Sequence, residues 1–225
     1  MKRPIRIAIA GVGNCASALL QGIHYYNQPQ GRKRPASNGL LHPLVGGYAP
    51  SDLQVAAAFD IDARKVGKPL HQACLSEPNC TTQFAKPFPI CNVRVQMGPV
   101  LDGVAAHMHK YPAAQTFIVS KTRPVNIAKV LKESQAEILL SYLPVGSQRA
   151  TEAYAQACLD AGVSMINCIP VFIASDRQWA ARFAKRGIPI IGDDVKGQVG
   201  ATILHRTLAR LFMERGASVA RTYQL

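Results

Sequence analysis

Ile5-Arg6-Ile7-Ala8-Ile9-Ala10-Gly11-Val12-Gly13-Asn14-Cys15-Ala16 is the stretch on which the reading of the chain turns. Ile5, Ile7 and Ile9, with small alanines between them, predict a buried strand. Gly11 and Gly13 then reverse the backbone, and Cys15 to Tyr26 reads as a helix with Ala16, Leu19, Leu20 and Ile23 on one face. Strand, G-x-G-x-x-A turn and helix occur in the order that a phosphate-binding turn requires. Gly11 permits the tight turn, Gly13 has no side chain to obstruct a pyrophosphate, and Ala16 is small enough for the helix to lie close to a sheet. The N–H groups at the helix start would then face the phosphates. The plainer alternative is a glycine turn that only joins strand to helix.

Outward from this turn, composition sets the bounds. The chain has 225 residues, 48% of them apolar, enough to bury a substantial core. No apolar run approaches the roughly 18 residues of a membrane span, and the N-terminus lacks the pattern of a signal peptide, so the sequence reads as cytoplasmic. Six cysteines (Cys15, Cys74, Cys80, Cys91, Cys158 and Cys168) are scattered without a C-x-x-C pair, which fits reduced thiols better than a disulfide framework or a zinc cage. No metal is expected. His71, Cys74 and Cys80 match no metal-ligand spacing, and His107 and His109, two apart, form no ligand pair by themselves. The formal net charge of +13 raises nucleic acid as a partner. The basic residues are spread along the chain, however, and are not interleaved with stacking aromatics. Solvated faces and attraction for anionic ligands account for most of the charge.

From Asn27 to Asp52 the chain is polar and rich in glycine and proline, and reads as a long loop, either a functional one or a floppy insertion. Gln54 to Phe59 is expected as the second strand, ended by Asp60. In a dinucleotide-binding fold the acidic residue at this place takes the adenosine ribose hydroxyls. Asp60 is the first choice and Asp62 the reserve, with Arg64 and Lys65 nearby leaving room for a 2′-phosphate. The alternative for Asp60 is a cap for a following helix. Between Gly67 and Pro89 no period emerges.

After Pro124 the alternation is regular. Helices are expected at Val125–Lys132, Gln148–Ala161 and from a capping box at Ser175 and Gln178 to Arg186. Strands are expected at Glu137–Ser141, Val163–Cys168 and Ile188–Ile191, with a last helix from Ala201 to Arg215. Strand–helix alternation of this kind predicts an α/β fold with a doubly wound, mostly parallel sheet, a Rossmann-like domain over 1–225. Gly192-Asp193-Asp194-Val195-Lys196-Gly197-Gln198-Val199-Gly200 repeats the logic of the first turn with charge added. An anion such as a sugar phosphate could sit on the N–H groups of Gly197 to Gly200 beside Lys196, or the segment could be a capped helix start with surface charges.

Six stretches in order, Gly11-Val-Gly-Asn-Cys-Ala-Ser-Ala-Leu19, Ala57-Ala-Phe-Asp-Ile-Asp62, Gly98-Pro-Val-Leu-Asp-Gly103, Ser141-Tyr-Leu-Pro-Val-Gly-Ser147, Pro170-Val-Phe-Ile-Ala-Ser175 and Gly192-Asp-Asp-Val-Lys196, resemble the prokaryotic inositol-phosphate synthases. The resemblance implies NAD as cofactor and isomerisation of glucose 6-phosphate to myo-inositol 3-phosphate, a step of inositol and phospholipid biosynthesis. In that family C5 of the open-chain sugar is oxidised, enolisation lets C6 attack the C1 aldehyde, and the hydride returns to C5. Carried over by position, Gly11, Gly13, Asn14, Cys15 and Ala16 would lie on the pyrophosphate and Asp60 near the adenosine ribose. Asp194 and Lys196 would be catalytic, and Gly197, Gln198, Val199 and Gly200 would hold the substrate phosphate.

Two departures qualify the transfer. Gly197 stands where the family has a serine, which removes a hydroxyl donor to the phosphate. The sequence given also ends at Leu225, where the family continues into its catalytic lysine pair and most of its tetramer-forming sheet. Residues 192–225 are therefore expected to be only the start of the substrate-binding part. The chain by itself is expected to be inactive or to need a homo-oligomer or a separately encoded C-terminal partner. The alternatives are a non-catalytic NAD-binding module and a basic nucleic-acid binder on the same scaffold.

Overall fold

The computed structural model describes residues 3–27, 39–104, 106–195, 197 and 200–223. Two compact units divide the chain, Met1–Asp193 and Asp194–Leu225.

The first unit is built on a six-stranded sheet in which every pairing is parallel. Its strands are β1 (Ile5–Ala10), β2 (Leu53–Asp60), β3 (Val95–Met97), β4 (Ile138–Ser141), β5 (Ser164–Asn167) and β6 (Ile190–Ile191), in spatial order β3-β2-β1-β4-β5-β6. This is the 3-2-1-4-5-6 order of a doubly wound dinucleotide-binding sheet, in which the strand order reverses beside β1. Parallel strands need crossovers, and here helices supply most of them: α1 (Asn14–Asn27), α2 (Leu70–Ala73), α3 (Ile127–Glu133), α4 (Gln148–Ala161) and α5 (Arg177–Lys185).

The alternation in β1 explains how both faces are covered. Ile7 and Ile9 pack with Ala16 and Leu20 of α1, Leu70 and Ala73 of α2, and Val55 and Val95 on one side. Ala8 and Ala10 point to the other side, into a core of Phe59, Leu139 and Met165 from other strands of the sheet and Leu131, Tyr154, Cys158 and Phe183 from α3, α4 and α5. Alanine between isoleucines thus matches a face crowded by aromatic side chains. Burying Ile7, Ile9 and Phe59 almost completely contributes about 1.5–3 kcal/mol each by transfer alone.

Most helix ends follow their sequence signals. Asn126 caps α3 by accepting from the N–H of Lys129 at 2.9 Å, and Gly162 closes α4 in the left-handed conformation at φ 75°. Helix α5 is a correction. Its cap is Asp176, whose Oδ1 accepts from the N–H groups of Gln178 and Trp179, and not a box formed by Ser175 and Gln178. Asp60 caps no helix, because a turn follows it and α2 begins only at Leu70. Strand β3, absent from the sequence reading, is three residues long and lies beyond a stretch without regular structure.

The second unit holds α6 (Ala201–Glu214), which has no buried residue and whose Leu204, Leu208, Leu211 and Phe212 are all exposed. Part of the expected Asn27–Asp52 loop, residues 28–38, lies outside the described residues. The rest contains a bridge between Val45 and Tyr48 and a short 3-10 turn at Pro50–Asp52. Among the described residues no helix is long and apolar enough to cross a membrane, and no three His, Cys, Asp or Glu side chains are grouped to hold a metal ion.

Candidate cofactor-binding site

The turn after β1 is held between its two neighbouring strands. Gly11 has φ +93°, a region that favours glycine, and donates its N–H to Phe59 O of β2 at 2.8 Å. A Cβ on Gly11 would lie 2.5 Å from the carbonyl oxygen of Tyr142, just past β4. Only glycine fits there. Gly13 is different: a Cβ built on it meets nothing within 4 Å. One glycine is needed to close the turn, the other leaves space in front of it.

That space is a cavity of about 340 Å³. Val12, Gly13 and Asn14 line it together with Leu143, Pro144 and Ser147, while Asp60, Lys65 and Asp102 bring charge to it. Helix α1 begins at Asn14, so its first N–H groups lack partners within the helix and carry the positive end of its dipole. Helix α4 also starts at the cavity, but its N-terminus is already served. Asp102 accepts from the N–H groups of Arg149 at 2.6 Å and Ala150 at 2.9 Å. Of the two helix starts, the one beside Gly13 therefore suits an anion.

Asp60 is tied into the turn. Its Oδ2 accepts from the N–H of Val12 at 2.7 Å, and its Oδ1 from those of Ile61 and Asp62 at 2.7 and 2.8 Å. The Lys65 ammonium stands 3.8 Å from Oδ2, with both side chains largely buried. Lys65, which the sequence offered near Asp60 for a 2′-phosphate, lines the cavity beside it.

Asp62, the reserve for the ribose, has another role. It is fully buried, its carboxylate is paired with Arg64 at 2.6 Å, and it accepts from the N–H of Ile118 at 3.1 Å. Burial works to raise its carboxyl, but the bonds from Arg64 and Ile118 outweigh this and hold it below its ordinary value. Arg64 is equally committed, donating to Asp62 and to the carbonyls of Ala113 and Thr116. It is therefore no candidate for a 2′-phosphate.

No family model matches the chain. Curated relatives do. Over 221 residues, 98% of the chain, it is 50% identical to an inositol-3-phosphate synthase of Mycolicibacterium smegmatis. It is 49% identical to one of Corynebacterium glutamicum over the same share. Over these residues the chain is similar to inositol-3-phosphate synthases. It spans 59% of the length of each of these two relatives. Among solved structures, one described as Ari2 superposes with a TM-score of 0.80 at 36% identity, covering 99% of this chain and 63% of that one. A myo-inositol-1-phosphate synthase-related protein from Thermotoga maritima, 16% identical with a TM-score of 0.68, shares the fold.

Of the site residues expected from the synthase family, Gly11, Gly13, Asn14 and Asp60 line the cavity together. Ala16, in the first turn of α1, is fully buried, where its small side chain lets the helix lie on the sheet, and Cys15 is exposed. The Asn14 side chain is engaged elsewhere: its Oδ1 accepts from the N–H of Cys80 at 2.9 Å and its Nδ2 reaches Cys80 Sγ at 3.2 Å. It fastens the 79–81 segment to the turn, and the hydroxyl of Thr81 adds a bond to the Asn14 carbonyl at 3.1 Å.

Asp194, Gly197 and Gly200 belong to the second unit, and Lys196, Gln198 and Val199 lie outside the described residues. Asp194 is exposed, in the left-handed conformation at φ 73°, and accepts from the N–H of Val195 at 2.8 Å. Its neighbour Asp193 is an anchor of the first unit. Asp193 accepts from Asn167 Nδ2 at 2.7 Å and from the N–H groups of Ile173, Ala174 and Ser175. Burial pushes its carboxyl up, but these bonds prevail and hold it below the ordinary carboxylate value.

Proposed function

We propose that this chain holds NAD in the cavity beside Gly13 and serves as the dinucleotide-binding part of an inositol-3-phosphate synthase acting on glucose 6-phosphate. The observation that carries this reading is the open side of Gly13 at the start of α1, with the N-terminus of α4 already capped by Asp102. A pyrophosphate against Gly13 would meet the helix dipole and unpaired N–H groups without steric cost. Asp60 would accept from a ribose hydroxyl, and it can take one, since three backbone donors occupy the rest of its four acceptor positions. When bound, NAD would take up a hydride from the sugar and give it back.

The remaining roles belong to the same proposal. Asp194 and Lys196 act on the sugar, and Gly197, Gln198, Val199 and Gly200 hold its phosphate. A second copy or a partner chain completes the site, in keeping with the exposed apolar face of α6. A chain that binds NAD without turnover is the second reading. It is favoured by the cavity's charge, since Lys65 is the one lysine or arginine among its described lining residues, too few cations for an enolate and an aldehyde oxygen.

One purified sample incubated with NAD and glucose 6-phosphate tests both. Absorbance of the reduced cofactor and formation of inositol phosphate are followed separately. Saturable NAD binding is expected in either case. Inositol phosphate produced by the chain alone removes the second reading, and absence of NAD binding contradicts both.

A further inference from the structure

The cavity is lined by a cation, Lys65, from which no described residue accepts a hydrogen bond. Lys65 is 5% exposed, yet among the described residues its ammonium has one partner, the Asp60 carboxylate, at 3.8 Å. That separation is an ion pair and too long for a hydrogen bond. An ammonium has three donors, and those of Lys65 stand at a cavity where a bound molecule can accept from them. The lysine side chain lines the same cavity as Gly13 and Asp60. Arg64, its neighbour in sequence, is fully used by Asp62 and two carbonyls and cannot take over the task.

We infer that Lys65 is the second half of the ribose-recognition pair: it donates to the adenosine ribose oxygens while Asp60 accepts from them, and it sets how far a 2′-phosphate is tolerated. The inference rests on the proposed NAD site. Oδ2 of Asp60 already accepts from Val12, which leaves it one further donor to receive. A ribose diol offers two adjacent hydroxyls. One hydroxyl donates to Oδ2 and the oxygen of the other accepts from Lys65 Nζ, so the diol fills the gap between the two charges. With a 2′-phosphate one of the two hydroxyls is lost as a donor and up to two negative charges approach Asp60, which favours NAD. Lys65 partly offsets this by supplying a charged donor to the phosphate, so the cavity keeps a measurable affinity for NADP.

Calorimetric titration of NAD and NADP into the unmodified chain, Lys65→Met, Lys65→Arg, Asp60→Asn and the Asp60→Asn/Lys65→Met double variant tests this, with thermal unfolding of each measured alongside. Lys65→Met is expected to weaken NAD about tenfold or more, the scale of a lost charged hydrogen bond, and NADP by a larger factor. Lys65→Arg should retain most of both affinities, which keeps the test valid if the methionine variant unfolds. If Lys65 served only to neutralise Asp60, the double variant would bind NAD as Asp60→Asn does. The inference requires a further loss in the double variant. NAD and NADP affinities within twofold of the unmodified chain in folded Lys65→Met overturn it, whereas absence of NAD binding to the unmodified chain overturns the parent reading and the inference with it.

Discussion

The carboxylate of Asp60 accepts a hydrogen bond from the N–H of Val12 at 2.7 Å, joining residues 48 apart in sequence. The end of β2 is thereby fixed to the glycine turn after β1, and the acidic group that faces the cavity is also part of the turn's framework. Asp60→Ala would leave the N–H groups of Val12, Ile61 and Asp62 without their acceptor. A loss of about 2–3 kcal/mol in denaturant unfolding is expected. Asp60→Asn keeps one acceptor oxygen and should lose less. Equal stability of the alanine variant and the unmodified chain would contradict this role.

The two glycines of the turn should respond oppositely to the smallest side chain. Gly11→Ala places a Cβ 2.5 Å from the Tyr142 carbonyl in a backbone conformation at φ +93°, and should cost roughly 3 kcal/mol or more. Gly13→Ala meets open space and should leave stability within about 1 kcal/mol of the starting value. Thermal unfolding of both variants checks the contrast. Similar losses in the two would show that the turn is packed differently.

The legible parts of the chain were those whose signals are local. In α4 the helical period runs unbroken from Gln148 to Ala161 and a left-handed glycine ends it. In β1 the alternation of isoleucine and alanine, together with the glycines that follow, carries strand, turn and helix within twelve residues. Strand β3 was missed because three residues are too few for a period, and β6 contracts to Ile190–Ile191 for the same reason. The adjacent Ser175 and Asp176 are both good caps, and sequence does not say which of them turns its side chain to the helix. How Asp102 and Lys65 are used at the cavity was beyond local reading. Asp102 serves a helix 47 residues away, and Lys65 faces the cavity only because the turn after Asp60 folds back. The glycine turn and Asp60 were legible from the strand–turn–helix pattern itself, whereas the commitment of Asp62 to Arg64 was not.

Acid should weaken the fold through two carboxylates. Asp62 and Asp193 are both held below their ordinary value of 3.8 in the folded chain. The stability they contribute is complete above that value and is lost as pH falls through their lower folded values. Unfolding free energy followed from pH 7 to pH 2 should therefore drop below about pH 4. Asp193→Asn should be less stable at pH 7, with its deficit shrinking towards the acid end. A deficit that stays constant down to pH 2 would show that the Asp193 charge does not matter.

Asp102 caps α4 from a different part of the chain. Asp102→Ala should cost about 1 kcal/mol, the usual scale for a lost helix cap, and should free a second helix N-terminus at the cavity. Denaturant unfolding measures the first effect. A loss of several kcal/mol would assign Asp102 a larger structural role than capping.

The most direct test of the account is calorimetric titration of NAD into the unmodified chain and into Gly13→Val, with circular dichroism confirming that both are folded. The account predicts saturable binding of one NAD per chain in the first and loss of binding in the second, because the valine side chain fills the place of the pyrophosphate. Equal affinity in the two proteins, or no binding in either, would contradict it.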